Sequence, residues 1–399
     1  MPIGGERPPA DVGHELVRLR DRLRAAPQGK VGFPGADDID YRPLWNFFAY
    51  ELNNIGDPYD TPTFEHHTKE YEREAVEFFA DLFGAPEYAR WGYVTSGSTE
   101  CLQHGLLRAR QRHPTTVTYY SRAAHYKVAR TLADLRMPAV PVPVDVFGEM
   151  DYGALREAVA ANRRRPVTVV ATAGTTMTEA VDDVGQIHRV LDELGIARRY
   201  VHVDAALAGV PLALLPDDRR PAFDFRAGAD SIGFSLHKFL ATRMPGGIVI
   251  ARTDVAPRGR RVEYTGAADT VVSCSRNGHL ALMAWYAVRT LGVDGLRRRA
   301  EAARATAAHL VAKLTELRWP AWRNPYAFTV VMATPPADVT SRWRLATEGE
   351  LSHYICMPGR SLAQADEFVE DLGTSVRAGA RRRIPRQWSG RITELASAG

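Results

Sequence analysis

Short apolar runs rich in β-branched residues alternate along this chain with longer segments in which apolar residues recur every three or four positions. The first pattern predicts buried strands, and the second predicts helices that pack one apolar face against them. Predicted strands lie at 91–95, 117–120, 139–144, 167–172, 200–204, 231–234 and 247–251. Predicted helices lie at 71–83, from near 101, from 124 and at 187–194.

This alternation favours an α/β protein. The strands carry too few polar residues for a sheet with one solvated face, so we expect a largely parallel sheet covered on both sides. Such sheets bind ligands at the carboxyl ends of their strands. Ser96, Thr175, Asp204 and Lys238 all lie at or just beyond predicted strand ends, which makes this edge the expected place of a functional site.

After residue 252 the pattern changes. Residues 253–276 are polar and turn-rich, residues 278–320 are predicted to be helical, and 328–332 is a further strand. We therefore predict an N-terminal arm, a large domain and a small C-terminal α+β domain with a basic tail, at 1–50, 51–300 and 301–399. The last boundary is expected inside a long connecting helix.

The arm contains one predicted helix. Leu16, Leu19 and Leu23 recur at helical spacing, and Pro27-Gln28-Gly29 ends the pattern. Such an arm is suited to packing on a partner subunit.

Composition and charge narrow the class of protein. Of the 399 residues 45% are hydrophobic and 25% charged, as in ordinary globular proteins, and the formal net charge is +4. The arginine runs near 297–299 and 377–386 permit a nucleic-acid-binding interpretation, but a solvated helix face or tail is favoured. We find no membrane span of about 18 apolar residues and no apolar signal sequence at the start.

The cysteines and histidines argue against metal and disulfide frameworks. Cys101, Cys274 and Cys356 are widely spaced and odd in number, so a reducing cytoplasm is the expected location. The adjacent His66 and His67 do not point the same way on a helix or strand, which disfavours a metal site. A substrate pocket remains the alternative for these two side chains.

Two features suggest a bound cofactor. Residues 96–100, Ser-Gly-Ser-Thr-Glu, end a strand and open a helix, so backbone N–H groups and the positive end of the helix dipole converge where a phosphate would bind. Such turns also cap helices that bind no ligand. Lys238 follows an apolar run and Asp204 ends an upstream strand. The pair suggests an amine for the aldehyde of pyridoxal phosphate and a carboxylate for its pyridine nitrogen.

Short segments spread over residues 40–373 stand in the order of a known family. They are 53–57, 78–83, 91–100, 124–126, 173–176, 180–183, 202–206, 230–238, 275–279 and 357–359. On these segments the chain resembles the group II pyridoxal-phosphate-dependent amino-acid decarboxylases, in the short histidine and serine decarboxylase branch. The resemblance implies the aspartate-aminotransferase fold, called fold type I, and a homodimer with active sites at the subunit interface.

The resemblance also implies residue roles. Lys238 resembles the Schiff-base lysine, Asp204 the partner of the pyridinium nitrogen, and His125 the histidine that stacks on the ring opposite Ala206. Thr175 is implied near the ring substituents. Implied phosphate contacts are Gly97, Ser98, Thr99, Ser235 and His237. By residue type alone, a helix-capping or buried structural role is favoured for His125, and a strand-end turn residue is the alternative for Asp204.

The implied reaction is decarboxylation of a histidine-like, aromatic or small L-amino acid to its amine and carbon dioxide. The proton that replaces the carboxylate comes from Lys238 or from Tyr264 in the turn-rich segment. Tyr264 as an ordinary surface residue is an equal alternative. Two other functions stay open: the same cofactor with a bond-forming, aldehyde-forming or lyase outcome, and an idle homologue that serves as a partner.

Some positions depart from the family pattern. Cys101 and Leu102 stand where glycine and asparagine are usual, and we expect them to change how their helix approaches the phosphate. Leu236 replaces a glycine, and we expect it to add bulk beside Lys238. Residues 57–64 differ from the histidine-enzyme segment that helps to form the substrate wall, so substrate identity transfers less well than cofactor chemistry.

Overall fold

The structure, a computed structural model, describes residues 9–25, 30–87, 90–255 and 259–378. The basic tail predicted after residue 378 lies outside the described residues. So do the first eight residues and Pro27-Gln28-Gly29, which were predicted to end the helix of the arm.

The elements follow the predicted alternation. The α-helices of the described segments are α1 (Pro9–Arg24), α2 (Lys69–Leu82), α3 (Ser98–Arg112), α4 (Lys127–Asp134), α5 (Tyr152–Ala160), α6 (Val184–Glu193), α7 (Gly209–Ala213), α8 (Gly278–Glu316), α9 (Ala337–Trp343) and α10 (Leu362–Arg377). The strands are β1 (Trp91–Thr95), β2 (Val117–Ser121), β3 (Ala139–Val142), β4 (Val167–Thr172), β5 (Arg199–Asp204), β6 (Ser231–Ser235), β7 (Gly247–Ala251), β8 (Arg261–Val262), β9 (Ala267–Ala268), β10 (Ala321–Trp322), β11 (Thr329–Ala333), β12 (Ala346–Glu348) and β13 (Leu351–Ile355).

Strands β1 to β7 form one mixed sheet in the order β1-β7-β6-β5-β4-β2-β3. Neighbouring strands pair in parallel from β3 through β2, β4 and β5 to β6, whereas β7 pairs antiparallel with both β6 and β1. Every residue of β4 and β6 is buried, as expected of strands covered on both faces. The prediction of a largely parallel sheet is confirmed, with β7 as the exception.

Aromatic packing between α2 and β6 positions the end of that strand. The rings of Phe79 and Phe83 lie 4.7 and 5.5 Å from the ring of Phe234. Phe234 directly precedes Ser235, the last residue of β6. Helix α2 also packs against α8, so the segment that leaves β6 starts from a rigid point.

Strands β10 to β13 form a separate antiparallel sheet in the order β10-β11-β13-β12. An aromatic cluster packs beside it, in which the ring of Phe368 on α10 lies 5.5 Å from Trp343 and 5.3 Å from Tyr354. This small α+β unit follows the large sheet in sequence, as predicted.

Helix α8 connects the two units. It breaks once, at Gly292, where φ is 58° and ψ is −176°. Its first part contributes side chains such as Met283 to the core of the large sheet, and its last part contributes Leu310 to the core of the small one. The predicted domain boundary at 300/301 falls inside this helix and stays a prediction.

Within the described residues, no helix is both long enough and apolar enough to span a membrane.

Candidate active site

The carboxyl ends of neighbouring strands bring the predicted site residues to one edge of the large sheet. Asp204 ends β5 and pairs in register with Gly233 of β6, two residues before Ser235. On the other side of β5, Asp204 pairs with Thr172 at the end of β4, three residues before Thr175. Because parallel strands end at the same edge, these side chains and the segment after β6 share one rim of the sheet.

The loop after β1 presents the open end of a helix to this rim. Helix α3 begins at Ser98 after Gly97, and no side chain caps it. A Cβ added at Gly97, whose φ is +155°, would meet no atom within 4 Å, so free space adjoins the loop. Ser235 Oγ donates a hydrogen bond to Ser98 Oγ (3.1 Å), which joins the loop to the end of β6. Thr99 is exposed in the first turn.

Glu100 shapes this loop from below, a role that the sequence analysis missed. Its Oε2 accepts hydrogen bonds from Ser96 N (2.9 Å) and Ser96 Oγ (2.6 Å), and its Oε1 accepts one from Tyr93 OH (3.3 Å). The sequence feature that indicates this role is the position of Glu100 as the third residue of α3, from which a glutamate side chain can accept a hydrogen bond from the backbone that precedes the helix. The buried carboxylate therefore fixes the turn that leads into α3.

Cys101 is accommodated by glycines on the strands beneath α3. A Cβ at Gly233 would lie 2.4 Å from Cys101 Cβ, and one at Gly247 would lie 3.0 Å from Cys101 Sγ. Thr95 Oγ1 lies 3.1 Å from the same sulfur, and burial raises the pKa of the thiol. The helix thus sits directly on β6 and β7, and the thiol occupies the space that the missing side chains leave.

The side chain of Leu236, which we expect to add bulk beside Lys238, lies in the core of the large sheet. It is fully buried there. The backbone N–H of Leu236 donates to Gly246 O (2.9 Å), which ties the turn after β6 to the start of β7. The neighbouring Lys238 is half-buried, so the chain alternates between core and site at this turn.

Lys238, Asp204 and His125 lie within electrostatic reach of one another. Burial raises the pKa of Asp204, and the positive charges of Lys238 and His125 oppose that rise. Burial lowers the pKa of Lys238 and of His125, and in both cases the charge of Asp204 acts in the opposite direction. The structure therefore brings together the three side chains that the sequence placed at a cofactor ring.

Local hydrogen bonds orient two of these groups. Asp204 Oδ1 accepts from Ala206 N (3.2 Å), which fixes the carboxylate at the end of β5. His125 Nδ1 accepts from Lys127 N (3.3 Å). Helix α4 begins at Lys127 rather than at the predicted residue 124, because residues 122–126 form a turn. His125 therefore lies in the loop before the helix.

Two further predicted residues make contacts within their own turns. His237 Nδ1 lies 3.1 Å from Gly246 O and 3.2 Å from Gly246 N, and burial lowers the pKa of this histidine. The Thr175 hydroxyl lies 2.8 Å from Thr178 Oγ1 and accepts from Ala180 N (3.0 Å). Thr175 thus holds the turn after β4 together at the rim.

Tyr264 lies in the turn-rich segment that follows β7. It is 84% exposed, on the short 3-10 helix Glu263–Thr265. The segment that carries it is anchored to the loop before α2, because Thr270 Oγ1 donates to Asp57 Oδ2 (2.6 Å) and Ala268 N donates to Asp60 Oδ2 (2.6 Å). The loop therefore has a fixed base and an exposed tyrosine.

Buried charges extend this anchor towards the large sheet, and the sequence analysis assigned them no role. Lys69 Nζ is fully buried and donates to Asp57 O (2.8 Å). Glu72 forms a buried ion pair with Arg276 and accepts from Val94 N (2.7 Å). Arg276 also donates to Gly56 O (2.9 Å), which joins two segments of the resemblance, 53–57 and 275–279. Composition does not show that these charges are buried.

This set of groups fits pyridoxal phosphate. The uncapped N-terminus of α3, with the hydroxyls of Ser98 and Ser235, suits a phosphate dianion. The buried carboxylate of Asp204 suits a protonated ring nitrogen, and the amine of Lys238 suits an aldehyde. No metal-binding cluster of histidine, cysteine, aspartate or glutamate occurs in the part of the chain that the structure describes.

Known proteins are similar in sequence to this chain over most of its length. The model of the pyridoxal-dependent decarboxylase conserved domain matches residues 70–319. A histidine decarboxylase of Mesorhizobium japonicum is 40% identical over 359 residues, which cover 90% of this chain and 96% of that protein. Serine decarboxylase 3 of Oryza sativa subsp. japonica is 34% identical over 349 residues, which cover 86% of this chain and 78% of that protein.

Solved structures share the fold. L-Methionine decarboxylase of Streptomyces sp. 590 superposes with a TM-score of 0.84 at 24% identity, covering 94% of this chain and 96% of that one. A glutamate decarboxylase of Lactobacillus brevis superposes with a TM-score of 0.80 at 19% identity, covering 96% of each chain. The predicted fold class, fold type I with a small C-terminal domain, is confirmed.

Proposed function

The chain belongs to the pyridoxal-dependent decarboxylase family and is an amino-acid decarboxylase that uses pyridoxal phosphate; from this premise we propose that Lys238 binds the cofactor aldehyde, with Asp204 and His125 at its ring. The observation that carries this assignment is the mutual electrostatic reach of the three side chains at one rim of the sheet. A buried carboxylate costs free energy unless it is paired with a cation or hydrogen-bonded.

Each residue then has a defined task. When bound, the cofactor supplies an electron-accepting ring that takes up the bonding electrons of the departing carboxylate. Asp204 holds a proton at the ring nitrogen, and its burial strengthens that attraction because the surroundings screen charge poorly. His125, whose pKa is lowered by burial and raised by the charge of Asp204, would pack against one face of the ring, with Ala206 at the other.

The phosphate site is assigned to the start of α3. Backbone N–H groups of Ser98 and Thr99 and the hydroxyls of Ser98 and Ser235 bind the phosphate oxygens, beside the open space at Gly97. His237 adds its second ring nitrogen, since Nδ1 is already placed at Gly246. Thr175 orients the turn that borders the ring substituents.

We assign proton delivery at the substrate α-carbon to Tyr264 of a second subunit. Its 84% exposure within one chain and the anchored base of its loop support a side chain that reaches a neighbouring molecule. Lys238 is the alternative donor. A positioned acid accelerates such a proton transfer by about 10²- to 10⁴-fold.

We also propose that the protein is a homodimer, because apolar side chains are exposed on the single chain. Large apolar side chains stay exposed on two N-terminal elements: Leu16 and Leu23 on α1 are 61% and 65% exposed, and Trp45 and Tyr50 are 61% and 56% exposed. A single chain leaves these groups in water, whereas a second copy would cover them. Light scattering on the purified protein should give twice the chain mass of 44.2 kDa, and a monomer would contradict the proposal.

The proposed substrate is L-histidine. The 40% identical histidine decarboxylase supports this choice, and exposed aromatic groups flank the anchored loops, since Phe48 stacks on His279 (4.8 Å between ring centres) and Tyr50 lies 6.4 Å from His66. Serine is the second candidate, because a serine decarboxylase is 34% identical. A cytoplasmic location is proposed from the free cysteines 101, 274 and 356, and no nucleic-acid partner is proposed.

One experiment tests the cofactor assignment. The purified protein is loaded with pyridoxal phosphate, reduced with borohydride and digested, and the modified peptide is identified by mass. We expect the cofactor on Lys238, and Lys238→Ala should lose both the label and the visible absorption. A label on any other lysine, with Lys238→Ala unaffected, would overturn the assignment.

A second experiment tests the substrate. L-Histidine, L-serine, L-methionine, L-glutamate and L-phenylalanine are each supplied to the loaded enzyme, and carbon dioxide and the product amine are measured. Histamine in a one-to-one ratio with carbon dioxide is expected from histidine. Aldehyde in place of amine would instead support the changed-outcome alternative, and no reaction with histidine would remove it as the substrate.

A further inference from the structure

The turn after β4 lies between the site rim and the small sheet. Ala173 and Val181 pair across its base, and the backbone N–H groups of Gly174 and Thr175 both donate to Ala180 O (3.0 and 2.9 Å). Glu179 closes the turn in the left-handed region, with φ of +54°. Glycine adopts this conformation without steric conflict and glutamate does not, so the carboxylate at this position requires an explanation.

Glu179 binds the first long strand of the small sheet. Its Oε2 accepts hydrogen bonds from Phe328 N (3.1 Å), Thr329 N (2.8 Å) and Thr329 Oγ1 (2.5 Å). Thr329 is the first residue of β11, and the glutamate is only 3% exposed. One buried carboxylate oxygen thus joins two parts of the molecule that are about 150 residues apart in sequence.

The turn that carries Glu179 adjoins Asp204, because Ala173 N donates a hydrogen bond to Asp204 O (2.8 Å). Burial raises the pKa of Glu179, while its three hydrogen bonds and the charge of Arg304 lower it. The pKa of Lys238 is lowered by burial and raised by two carboxylates, first Asp204 and then Glu179. Arg304 itself donates to Pro211 O (2.7 Å) and to Tyr326 O (3.1 Å), so its charge is held in place across the same junction.

We propose that Glu179 is a positioning residue that docks β11 onto the turn after β4 and thereby sets a second negative charge beside Lys238. The charge state of the nitrogen that binds the cofactor then depends on the Glu179 carboxylate, which its hydrogen bonds to β11 hold in place. This inference rests on the proposed role of Lys238. It gives the contact between Glu179 and β11 an electrostatic effect on the site.

Uncharged contacts at the same junction provide comparison. Asn324 Nδ2 donates to Phe147 O (3.1 Å) and to Thr178 O (2.9 Å), and His353 Nδ1 lies 3.1 Å from Met177 O. Asn324 docks the small unit on the same turn without bringing a charge. Loss of its contacts isolates the effect of docking, whereas loss of the charge at Glu179 isolates the electrostatic effect.

The test compares Glu179→Gln, Glu179→Asp and Asn324→Ala as cofactor-loaded proteins. Glu179→Gln keeps an acceptor oxygen and removes the charge, and Glu179→Asp keeps the charge on a shorter side chain. Two quantities are measured: the midpoint of the pH titration of the cofactor's visible absorption, and hydrogen exchange in a peptide that covers residues 324–333.

The expected results separate the two roles. Because a nearby anion favours a protonated cationic nitrogen, the absorption midpoint should shift to lower pH in Glu179→Gln. It should stay at the wild-type value in Asn324→Ala, and Glu179→Asp should lie closer to wild type than Glu179→Gln. Exchange in 324–333 should increase in Glu179→Asp and Asn324→Ala, since both loosen the junction.

Equal midpoints in wild type and Glu179→Gln would overturn the inference, and so would an equal shift in Asn324→Ala. Lys238→Ala distinguishes this failure from failure of the proposed function. If Lys238→Ala keeps the visible absorption, the assignment of Lys238 is wrong. If it loses the absorption and Glu179→Gln titrates like wild type, only the role of Glu179 is wrong.

Discussion

At the scale of single residues, burial gives charged groups their chemical use. Asp204 is 8% exposed, and its carboxylate is supported by Lys238 and His125 rather than by water. Burial favours the protonated form of a carboxyl group, and a nearby cation favours its charged form. The charge of Lys238 therefore favours a carboxylate where the proposed ring nitrogen needs one.

Replacement of this charge should reduce turnover while the fold persists. We expect Asp204→Asn to lower kcat by about 10- to 100-fold, because a hydrogen bond to a charged group contributes roughly 1.5–3 kcal/mol. Steady-state kinetics at saturating cofactor measure this loss. Asp230→Asn is the matched control, since Asp230 is also a partly buried strand-end carboxylate but accepts from Val201 N (2.8 Å) at the opposite end of β6; an equal loss there would contradict a role specific to Asp204.

Two buried histidines should make the protein sensitive to acid. Burial lowers the pKa of His202 to about 3 and that of His104 well below its usual value. The unfolded chain binds these protons below about pH 6.5, whereas the folded chain does not. Stability is therefore full above that pH and falls as the pH decreases, by about 1.4 kcal/mol per pH unit for each histidine.

Urea unfolding between about pH 7 and pH 5 checks this slope. We expect His202→Gln to flatten it, since glutamine retains a partner for Ser231 Oγ, which lies 2.8 Å from His202 Nδ1, and takes up no proton. His66→Gln, at an exposed position, is the control. A slope that is identical in wild type and His202→Gln would show that this histidine does not limit acid stability.

The sequence allowed the site residues to be chosen by type and position, but not their supports. Lys238 and Asp204 could be singled out because each lies at or just beyond a predicted strand end and within a segment that resembles the family. Glu100, Glu179 and Glu72 could not, because an isolated glutamate is typical of solvated surfaces, and only the fold shows which of them is enclosed. The site assignments themselves stay predictions.

At the scale of elements, the approach of α3 to the sheet decides the phosphate site. The helix rests on β6 and β7 where these strands carry Gly233 and Gly247. Close approach requires a missing side chain on one of the two surfaces, and here the strands supply it. The sequence showed Cys101 as a departure, but the fitting glycines lie far along the chain and were not connected with it.

A methyl group at this contact should displace the helix. Gly233→Ala places a Cβ 2.4 Å from Cys101 Cβ, and we expect a loss of about 1–3 kcal/mol in unfolding free energy together with weaker cofactor binding. Thermal unfolding and cofactor titration measure the two effects. Cys101→Gly should restore part of the binding when combined with Gly233→Ala, because it removes the clashing atom.

Gly35→Ala is the matched control, since a Cβ at Gly35 would meet no atom within 4 Å. We expect little change in either measurement from this variant. If Cys101→Gly fails to restore binding in the double variant, the two positions act independently, and the helix contact is not the cause of the loss.

The positions of helices and strands could be predicted where the hydrophobic periodicity is strong. The direction of the strands could not be predicted from it. The strands at 91–95, 167–172 and 247–251 have the predicted bounds. Alternation alone does not tell a parallel from an antiparallel strand, so the reversal of β7 required the structure. The start of α4 was predicted early because residues 124–126 are compatible with a helix, although they form a turn.

At the scale of the whole molecule, the proposed roles of Lys238 and of Tyr264 from a second subunit predict a site shared between two chains. If Tyr264 acts across a dimer interface, a mixture of Lys238→Ala and Tyr264→Phe chains should regain activity. Each mixed dimer would contain one site with both wild-type groups, so about half of the wild-type turnover per dimer is expected from the symmetry of such a dimer. Steady-state assays of the mixed and separate proteins measure it.

Two controls make this outcome decisive. Each variant alone should be inactive or reduced, with Tyr264→Phe lower by roughly 10²- to 10⁴-fold, as expected on loss of a general acid. Tyr50→Phe, at another exposed tyrosine, should remain active. Failure of the mixture to recover, in spite of mixed dimers shown by mass spectrometry, would assign Tyr264 to its own chain or to no catalytic role.

The position of α8 in the chain has a consequence for biosynthesis. The ring of Tyr71 on α2 lies 4.8 Å from that of Trp285 on α8, yet the ribosome completes α2 at residue 82 and begins α8 only at residue 278. At about 5–20 residues per second this interval lasts on the order of 10–40 s. During this interval one of the helices that cover the large sheet has not yet been made. Because α8 also supplies Leu310 to the small core, translation that stops before α8 leaves both cores exposed to chaperones and proteases.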